Sequence, residues 1–145
     1  MINVERASLS DADALCRLEE QYISCPWTRQ QLISVLKDER YVLLVVRDSD
    51  SIAVAYGGVC FALDEAEICN VVTDEKYRRL GYAEQILDRI IGECSKKGVK
   101  RIFLEVAENN APAVALYEKK GFRKIAVRKN YYQSGISANI MEKKL

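Results

Sequence analysis

Residues 65–87 read EAEICNVVTDEKYRRLGYAEQIL. The first nine are mostly apolar and β-branched side chains, with Glu65 and Glu67 at the start and Asn70 in the middle, the pattern of a strand. At the other end Ala83, Ile86 and Leu87 begin a spacing that Ile90, Ile91 and Cys94 continue, the period of an amphipathic helix ending before Gly98. Between them lies YRRLGYAE, residues 77–84. A turn from strand to helix exposes the first N–H groups of the helix. Together with the positive end of the dipole, these groups bind a phosphate without help from side chains. Gly81 lets that backbone approach closely, Ala83 is small for the same reason, and Arg78 and Arg79 add positive charge. Taken alone, the same residues serve as well for a surface turn with two solvated arginines, so the neighbouring segments decide.

Downstream, RIFLEVA (101–107) reads as a buried strand, apolar almost throughout except for Glu105. The strand, helix, strand order from Glu67 to Val106 implies a parallel pair with a crossover helix. NNAPAVALYEKKG (109–121) is a short helix with Asn109 or Asn110 as cap, Pro112 in its first turn, lysines in its last and Gly121 just beyond. FRKIAVRKNYY (122–132) and ANIMEKK (138–144) are closing strands around the loop QSGIS. Upstream, INVERA (2–7) is a first strand, and LSDADALCRLEEQY (9–22) a helix capped by Ser10 with Asp13 three residues on and Leu15, Leu18 and Tyr22 on one face. After SCPW, Thr28 caps a second helix striped by Leu32, Val35 and Leu36. YVLLVV (41–46) and SIAVAYGGVCFAL (51–63) form an antiparallel hairpin across RDSD, with a bulge at Gly57 and Gly58. The sum is a mixed α+β or α/β sandwich, an antiparallel N-terminal half joined to a β-α-β-α-β half, in a single domain over residues 1–145.

Composition narrows the function. The 145 residues are 49% hydrophobic, enough for one core. With 22 basic residues against 21 acidic, there is no global field of the kind that nucleic-acid or membrane-surface binders carry. The N-terminus is charged where a signal peptide needs an apolar stretch, and the longest uncharged run, Ser51 to Leu63, is too short to span a bilayer, so a cytoplasmic protein is expected. Cys16, Cys25, Cys60, Cys69 and Cys94 are scattered without a C-x-x-C pair, which argues against a disulfide framework or a zinc ribbon and makes most of them small buried hydrophobes. Histidine is absent. That removes the commonest general base and most catalytic zinc sites, so acid-base chemistry falls to Asp, Glu, Tyr, Lys or Cys and no metal is expected. Neither G-x-x-x-x-G-K-[ST] nor G-x-G-x-x-G occurs, which leaves NTPases and dinucleotide-binding oxidoreductases unsupported.

What the turn does match is R-x-x-G-x-A. The order EAEICNVVTDEKYRRLGYAEQIL, then FLEVAENNAPAVALYEKKGF, then RKNYY resembles the GNAT superfamily of N-acetyltransferases. More narrowly, and with CPWT (25–28) in support, the chain is similar to the bacterial ribosomal-protein-alanine N-acetyltransferases, which acetylate the N-terminal amine of a small-subunit ribosomal protein. The resemblance is densest from about Asp64 to Tyr132. It implies a GNAT-type fold, a central mixed and mostly antiparallel sheet of about seven strands with about four helices. It also implies acetyl-CoA as co-substrate and the N-terminal peptide of a ribosomal protein as acceptor. Carried over by residue, Val71, Val72 and Thr73 would lie along the pantetheine arm, and Arg79, Leu80, Gly81, Tyr82, Ala83 and Glu84 would wrap the pyrophosphate. Asn110 would be a further cofactor contact, Glu105 the general base and Tyr117 the general acid. Two residues depart from the family pattern. Glu84 puts a carboxylate where the family often has a basic or hydroxyl-bearing residue, tolerable if it points away and contacts through its N–H. Tyr82 is bulkier than the expected aliphatic residue and packs over the cofactor or against the fold.

Direct acetyl transfer needs a neutral amine, and an α-amine with a pKa near about 8 asks less of a base than a lysine near about 10.4. Glu105 stands in a segment otherwise suited to burial on both faces, and a buried carboxylate is costly unless paired or shifted. It could take the amine's proton directly or through a water, or it could be solvated at the strand end or paired with a lysine. Tyr117 can protonate the departing thiolate or simply pack beside Val114 and Ala113. The backbone N–H of Val72 or a neighbour is the expected oxyanion donor. Tyr131 and Tyr132 flank an acceptor groove or form cross-strand pairs. No membrane contact and no direct nucleic-acid binding is expected, and a monomer or weak dimer suffices. Other readings keep the cofactor and change the acceptor to a small amine, an antibiotic or a lysine, or leave a non-catalytic acyl-CoA-binding module.

Overall fold

Five consecutive apolar residues, Val42 to Val46, cannot all face one side of a strand, and the sheet explains them. In the computed structural model, which describes residues 2–132 and 134–145, β2 (Tyr41–Arg47) is covered on both faces. Val42, Leu44 and Val46 meet Ile86, Leu87 and Ile90 of α3 (Tyr82–Lys96) on one side. Leu43 and Val45 meet Leu15 and Leu18 of α1 (Ala12–Tyr22) and Leu32 of α2 (Arg29–Lys37) on the other. Each fully buried Leu or Ile contributes about 1.5–3 kcal/mol, so the helix layers are held mainly by these stripes.

The remaining elements are β1 (Glu5–Arg6), β3 (Ala53–Ala62), β4 (Glu65–Thr73), β5 (Arg101–Ala107), α4 (Ala111–Lys119), β6 (Arg123–Arg128) and β7 (Ala138–Lys144). The seven strands run in the order β1-β2-β3-β4-β5-β7-β6, and the β4–β5 pair is parallel while the others are antiparallel. α4 joins α3 on its face through Tyr117. The fold is the mixed, mostly antiparallel seven-stranded α/β arrangement with four α-helices expected from sequence.

Local differences have identifiable causes. The first strand is only two residues long, although the Ala7 N–H still bonds the Leu43 carbonyl at 2.9 Å. The chain enters α1 through a 3-10 turn capped by Ser8 rather than Ser10. Asp11 returns a carboxylate oxygen to the Ser8 N–H at 2.8 Å, and Arg47 pins that carboxylate at 2.7 Å, which sets the capping box two residues earlier. α2 starts as expected, with Thr28 Oγ1 accepting from the Gln31 N–H. Of the cysteines only Cys94 is buried, Cys25 is exposed and the other three lie between, so the expectation that most are core residues is not met.

The bulge is real, but its extra residue is on β4. Gly57 pairs with Val71 and Val59 with Ile68, so Cys69 and Asn70 together stand opposite Gly58. The two glycines are required by close approach instead: a Cβ on Gly57 would sit 2.5 Å from Ile86 Cγ2, and one on Gly58 2.6 Å from Leu43 Cδ2. β5 also departs from expectation. Ile102, Leu104 and Val106 are buried, but the alternate residues are partly open, so the strand is buried on one face rather than both.

Candidate active site

β4 and β5 pair only where Glu65–Glu67 meets Arg101–Phe103, yet both strands run on, to Thr73 and Ala107. A bulge bends the strand that carries it, and the bulge at Cys69–Asn70 comes directly after the last β4–β5 pair. Past that point the strands part around a cavity of about 360 Å³. Ile68 to Val71 line one wall and Leu104 to Ala107 the other, with Tyr22, Asn110, Tyr117 and Tyr132 around them. With no β5 partner beyond Glu67, alternate N–H and C=O groups of β4 face this gap. The cavity reaches both helix layers. Leu104 and Val106 lie on the α3–α4 face, so strand alternation places Glu105 on the α1–α2 face, while Tyr117 enters from α4.

Glu105 is 22% exposed at its side chain, and its Oε1 lies 3.4 Å from the Arg128 guanidinium, so its charged partner is an arginine rather than a lysine. Tyr117 is buried, its ring set edge-to-face on Phe122 at 5.8 Å, and it lines the cavity as well; packing and lining coexist. Burial, with Tyr132 adding to it, pushes the Tyr117 phenol up to about 12, so it carries its proton at any ordinary pH. Asn110 caps α4, its side-chain oxygen accepting from the Ala113 N–H at 3.3 Å, and lines the cavity too. Tyr131 and Tyr132 lie beyond the end of β6 and pack edge-to-face at 5.0 Å on each other, not across strands.

The turn before α3 leaves backbone donors uncapped. Arg79 and Gly81 both have left-handed backbones, φ 65° and 84°, and Gly81 occupies the N-cap position. Thr28 and Asn110 cap the N-termini of α2 and α4 with side chains. Among the described residues no side chain accepts from the first N–H groups of α3, at Tyr82, Ala83 and Glu84. Leu80 is exposed. Thr73 Oγ1, at the end of β4, is buried with no hydrogen-bond partner among the described residues. Arg78 is engaged elsewhere: its guanidinium lies 4.9 Å over the Tyr22 ring and its Nε donates to the Thr73 carbonyl at 3.2 Å. Tyr82 stacks on Tyr77 at 6.2 Å and so packs against the fold.

Glu84 turns away from the turn. Its carboxylate lies 2.8 Å from Lys120 and 3.1 Å from Lys119 at the end of α4, and these lysines hold its carboxyl below the usual range.

Sequence reading passed over Glu19. It is wholly buried on α1, where Oε1 accepts from the Trp27 N–H at 2.8 Å and Oε2 from Asn70 Nδ2 at 3.0 Å and from the Tyr56 hydroxyl. A signal was present, because Leu15, Leu18, Glu19 and Tyr22 follow the spacing of a buried stripe. Cys69 also lines the cavity, its thiol pushed up to about 12 by burial first and by nearby Cys60 next. Among the described residues no group of three or more acidic or cysteine side chains is placed to hold a metal ion.

This fold, with its strands parted beside an uncapped helix start, comes with a family match: the acetyltransferase (GNAT) family model matches residues 7–122. The chain belongs to that family and is an acetyltransferase. It is 33% identical over 132 residues to the ribosomal protein bS18-alanine N-acetyltransferase of Escherichia coli (strain K12), covering 91% of this chain and 88% of that one. The crystal structure of the ribosomal-protein-S18-alanine N-acetyltransferase from Escherichia coli matches with a TM-score of 0.89 at 31% identity, over 99% of this chain and 94% of the other. Arabidopsis thaliana NAA60 in complex with acetyl-CoA shares the fold, with a TM-score of 0.90 at 16% identity over 100% and 99% of the two chains.

Proposed function

We propose that this chain is a single-domain cytoplasmic enzyme that acetylates the N-terminal α-amine of a protein from acetyl-CoA, with the N-terminal alanine of a small-subunit ribosomal protein as its acceptor. The observation that carries the reading is the cavity between β4 and β5, which Glu105 and Tyr117 both line from opposite faces of the sheet. An acetyl donor entering from the α3–α4 side and an amine entering from the α1–α2 side would meet there.

The residues fit acetyl-CoA, which would supply the activated acetyl thioester. The free N–H groups of Tyr82, Ala83 and Glu84, with Arg79, Leu80 and Gly81, suit a pyrophosphate. Glu84 would contribute its N–H alone, since its carboxylate is committed to α4. The open backbone edge at Val71, Val72 and Thr73 suits the amides of the pantetheine arm, and the unpartnered Thr73 Oγ1 stands at the end of that edge. Asn110 would touch the same arm from α4.

In the transfer, the amine nitrogen forms a bond to the acetyl carbonyl carbon and the carbon–sulfur bond breaks. Glu105 takes the amine's proton. Arg128 lies beside its Oε1 and the Tyr131 hydroxyl also reaches the carboxylate, which together hold Glu105 in the cavity wall. The N–H of Val72 or a neighbour on the open edge bonds the developing oxyanion. Tyr117 faces the sulfur. With its phenol at about 12 and a thiol near about 8.5, full proton transfer would run uphill by about 5 kcal/mol, so Tyr117 acts as a hydrogen-bond donor that strengthens as charge builds on sulfur. An α-amine near about 8 is neutral some 250-fold more often than a lysine near about 10.4, worth about 3.3 kcal/mol, which favours an N-terminal acceptor.

The test is a panel of peptides differing in their first residues, assayed for thiol release, beside calorimetric titration with acetyl-CoA. Turnover of N-terminal alanine peptides above N-acetylated controls is the expected result. Indifference to whether the N-terminus is free would defeat the acceptor assignment, and failure to bind acetyl-CoA would defeat the whole reading.

A further inference from the structure

Glu19 has no part in the chemistry above, yet it is a fully enclosed carboxylate with three donors from three elements: Trp27 in the loop after α1, Tyr56 on β3 and Asn70 on β4. One use of such a knot is to clamp α1 onto the sheet. The placement of Asn70 points to more. Ile68 and Val71 both pack on the α3 face although they are three residues apart, so the bulge between them breaks the strand's alternation. That break turns Asn70 toward α1 while keeping it in the cavity wall. Glu105 lies on the same α1–α2 side, on the opposite wall.

The chemistry of the contact fixes which end of the amide faces where. The end of the amide that meets Glu19 Oε2 is the Asn70 NH₂ group, which donates to it. The amide oxygen then points away from Glu19. Among the described residues no protein donor bonds it. A carboxylate buried in α1 therefore dictates that Asn70 presents an acceptor, not a donor, to the cavity. An incoming amine has more N–H groups than Glu105, already engaged by Arg128 and Tyr131, can take by itself.

We propose that Glu19 is a positioning residue for the acceptor amine: by holding Asn70 Nδ2 it aims Asn70 Oδ1 into the cleft as a second hydrogen-bond acceptor, opposite Glu105. Two acceptors leave the amine with one orientation, its lone pair directed at the thioester carbonyl. This rests on the reading of the cleft as an N-acetyltransferase site.

The experiment is a reciprocal exchange. Glu19→Gln leaves one amide oxygen to serve either Trp27 or the Asn70 and Tyr56 donors, so one side of the knot faces an NH₂ group, and Asn70→Asp sets two carboxylates against each other. The double variant Glu19→Gln with Asn70→Asp restores one donor facing one acceptor and again leaves an oxygen toward the cavity. Each single variant is expected to raise the KM for an N-terminal peptide about tenfold while the KM for acetyl-CoA stays within about twofold. The double variant is expected to recover most of that loss, whereas a merely structural knot would show the loss and its recovery in thermal unfolding and in acetyl-CoA affinity alike. Thermal unfolding and acetyl-CoA titration accompany each variant. Asn70→Ala, which keeps the bonds from Trp27 and Tyr56, gives the same peptide KM readout should Glu19→Gln unfold. Single variants with wild-type peptide KM, or a double variant no better than the sum of the two, would overturn the proposal while leaving the acetyltransferase reading intact. A folded wild-type enzyme that turned over no free amine would remove both.

Discussion

The two sides of the cleft are made in different ways. On the α3–α4 side the contact surface is mostly backbone: a left-handed Arg79, a left-handed Gly81, three free N–H groups at the start of α3 and the open edge of β4. On the α1–α2 side it is side chain: Glu19, Tyr56, Asn70, Glu105 and Arg128, drawn from α1, β3, β4, β5 and β6. A backbone surface recognises what every donor molecule shares, a diphosphate and a chain of amides. A side-chain surface can be altered one residue at a time, which suits the half of the reaction where acceptors differ.

If that division holds, changes on the acceptor side should act on the acceptor and on chemistry, and changes on the other should act on acetyl-CoA. The largest effect is expected for Glu105→Gln, which keeps the shape of the side chain and removes the proposed base. Turnover should fall about 10²- to 10⁴-fold while calorimetric affinity for acetyl-CoA is unchanged. Tyr117→Phe comes next, with kcat reduced about 10- to 100-fold in steady-state assays and the edge-to-face contact on Phe122 retained. It also has a signature in stability. The folded phenol titrates near 12 and the unfolded one near 10, so the folded state keeps the proton that the unfolded state loses. That contribution is whole below pH 10 and disappears as pH rises to 12. Wild-type protein should lose about 3 kcal/mol more than Tyr117→Phe across that window in denaturant titrations. Equal losses would place the alkaline transition elsewhere, with Tyr56, also pushed up by burial and by Glu19, the first to test.

The same division explains what could be read from the chain. A turn into a helix is a local object, so Gly81, Ala83 and the helical spacing after them announced the one before α3 within a dozen residues. The strand order from β4 to β5 followed from the crossover rule for the same reason. What went unread was non-local. Glu105 carries no sequence mark of meeting Arg128, and the cover over β5 depends on where its neighbour leaves it, after Phe103. The bulge was legible as two glycines but assigned to the wrong strand, because glycine marks close approach as readily as a bulge, and only Ile86 and Leu43 show which. Glu19 was legible in principle, as a charge on an apolar stripe.

On the cofactor side the effects should be smaller and confined to acetyl-CoA. Gly81→Ala introduces a Cβ that among the described residues meets only Ile2, at an unstrained 3.6 Å, so its cost lies in the backbone: φ of 84° disfavours a side chain by about 1–2 kcal/mol. Relief of that strain would reshape the turn, and acetyl-CoA affinity should weaken about tenfold with peptide KM unmoved. Glu84→Gln should do least. Its carboxylate serves the end of α4, and Lys120 keeps a second partner in Asp88 at 2.9 Å. The KM for acetyl-CoA should move less than about twofold, since the Glu84 N–H survives the substitution. A slight loss of thermal stability should be seen near neutral pH and fade in acid, because a carboxyl held below its usual range stabilises only above the unfolded value and stops as pH falls through the lowered one. A tenfold change in acetyl-CoA KM instead would mean that the carboxylate swings back to the diphosphate, and that this side of the cleft is not recognised by backbone alone.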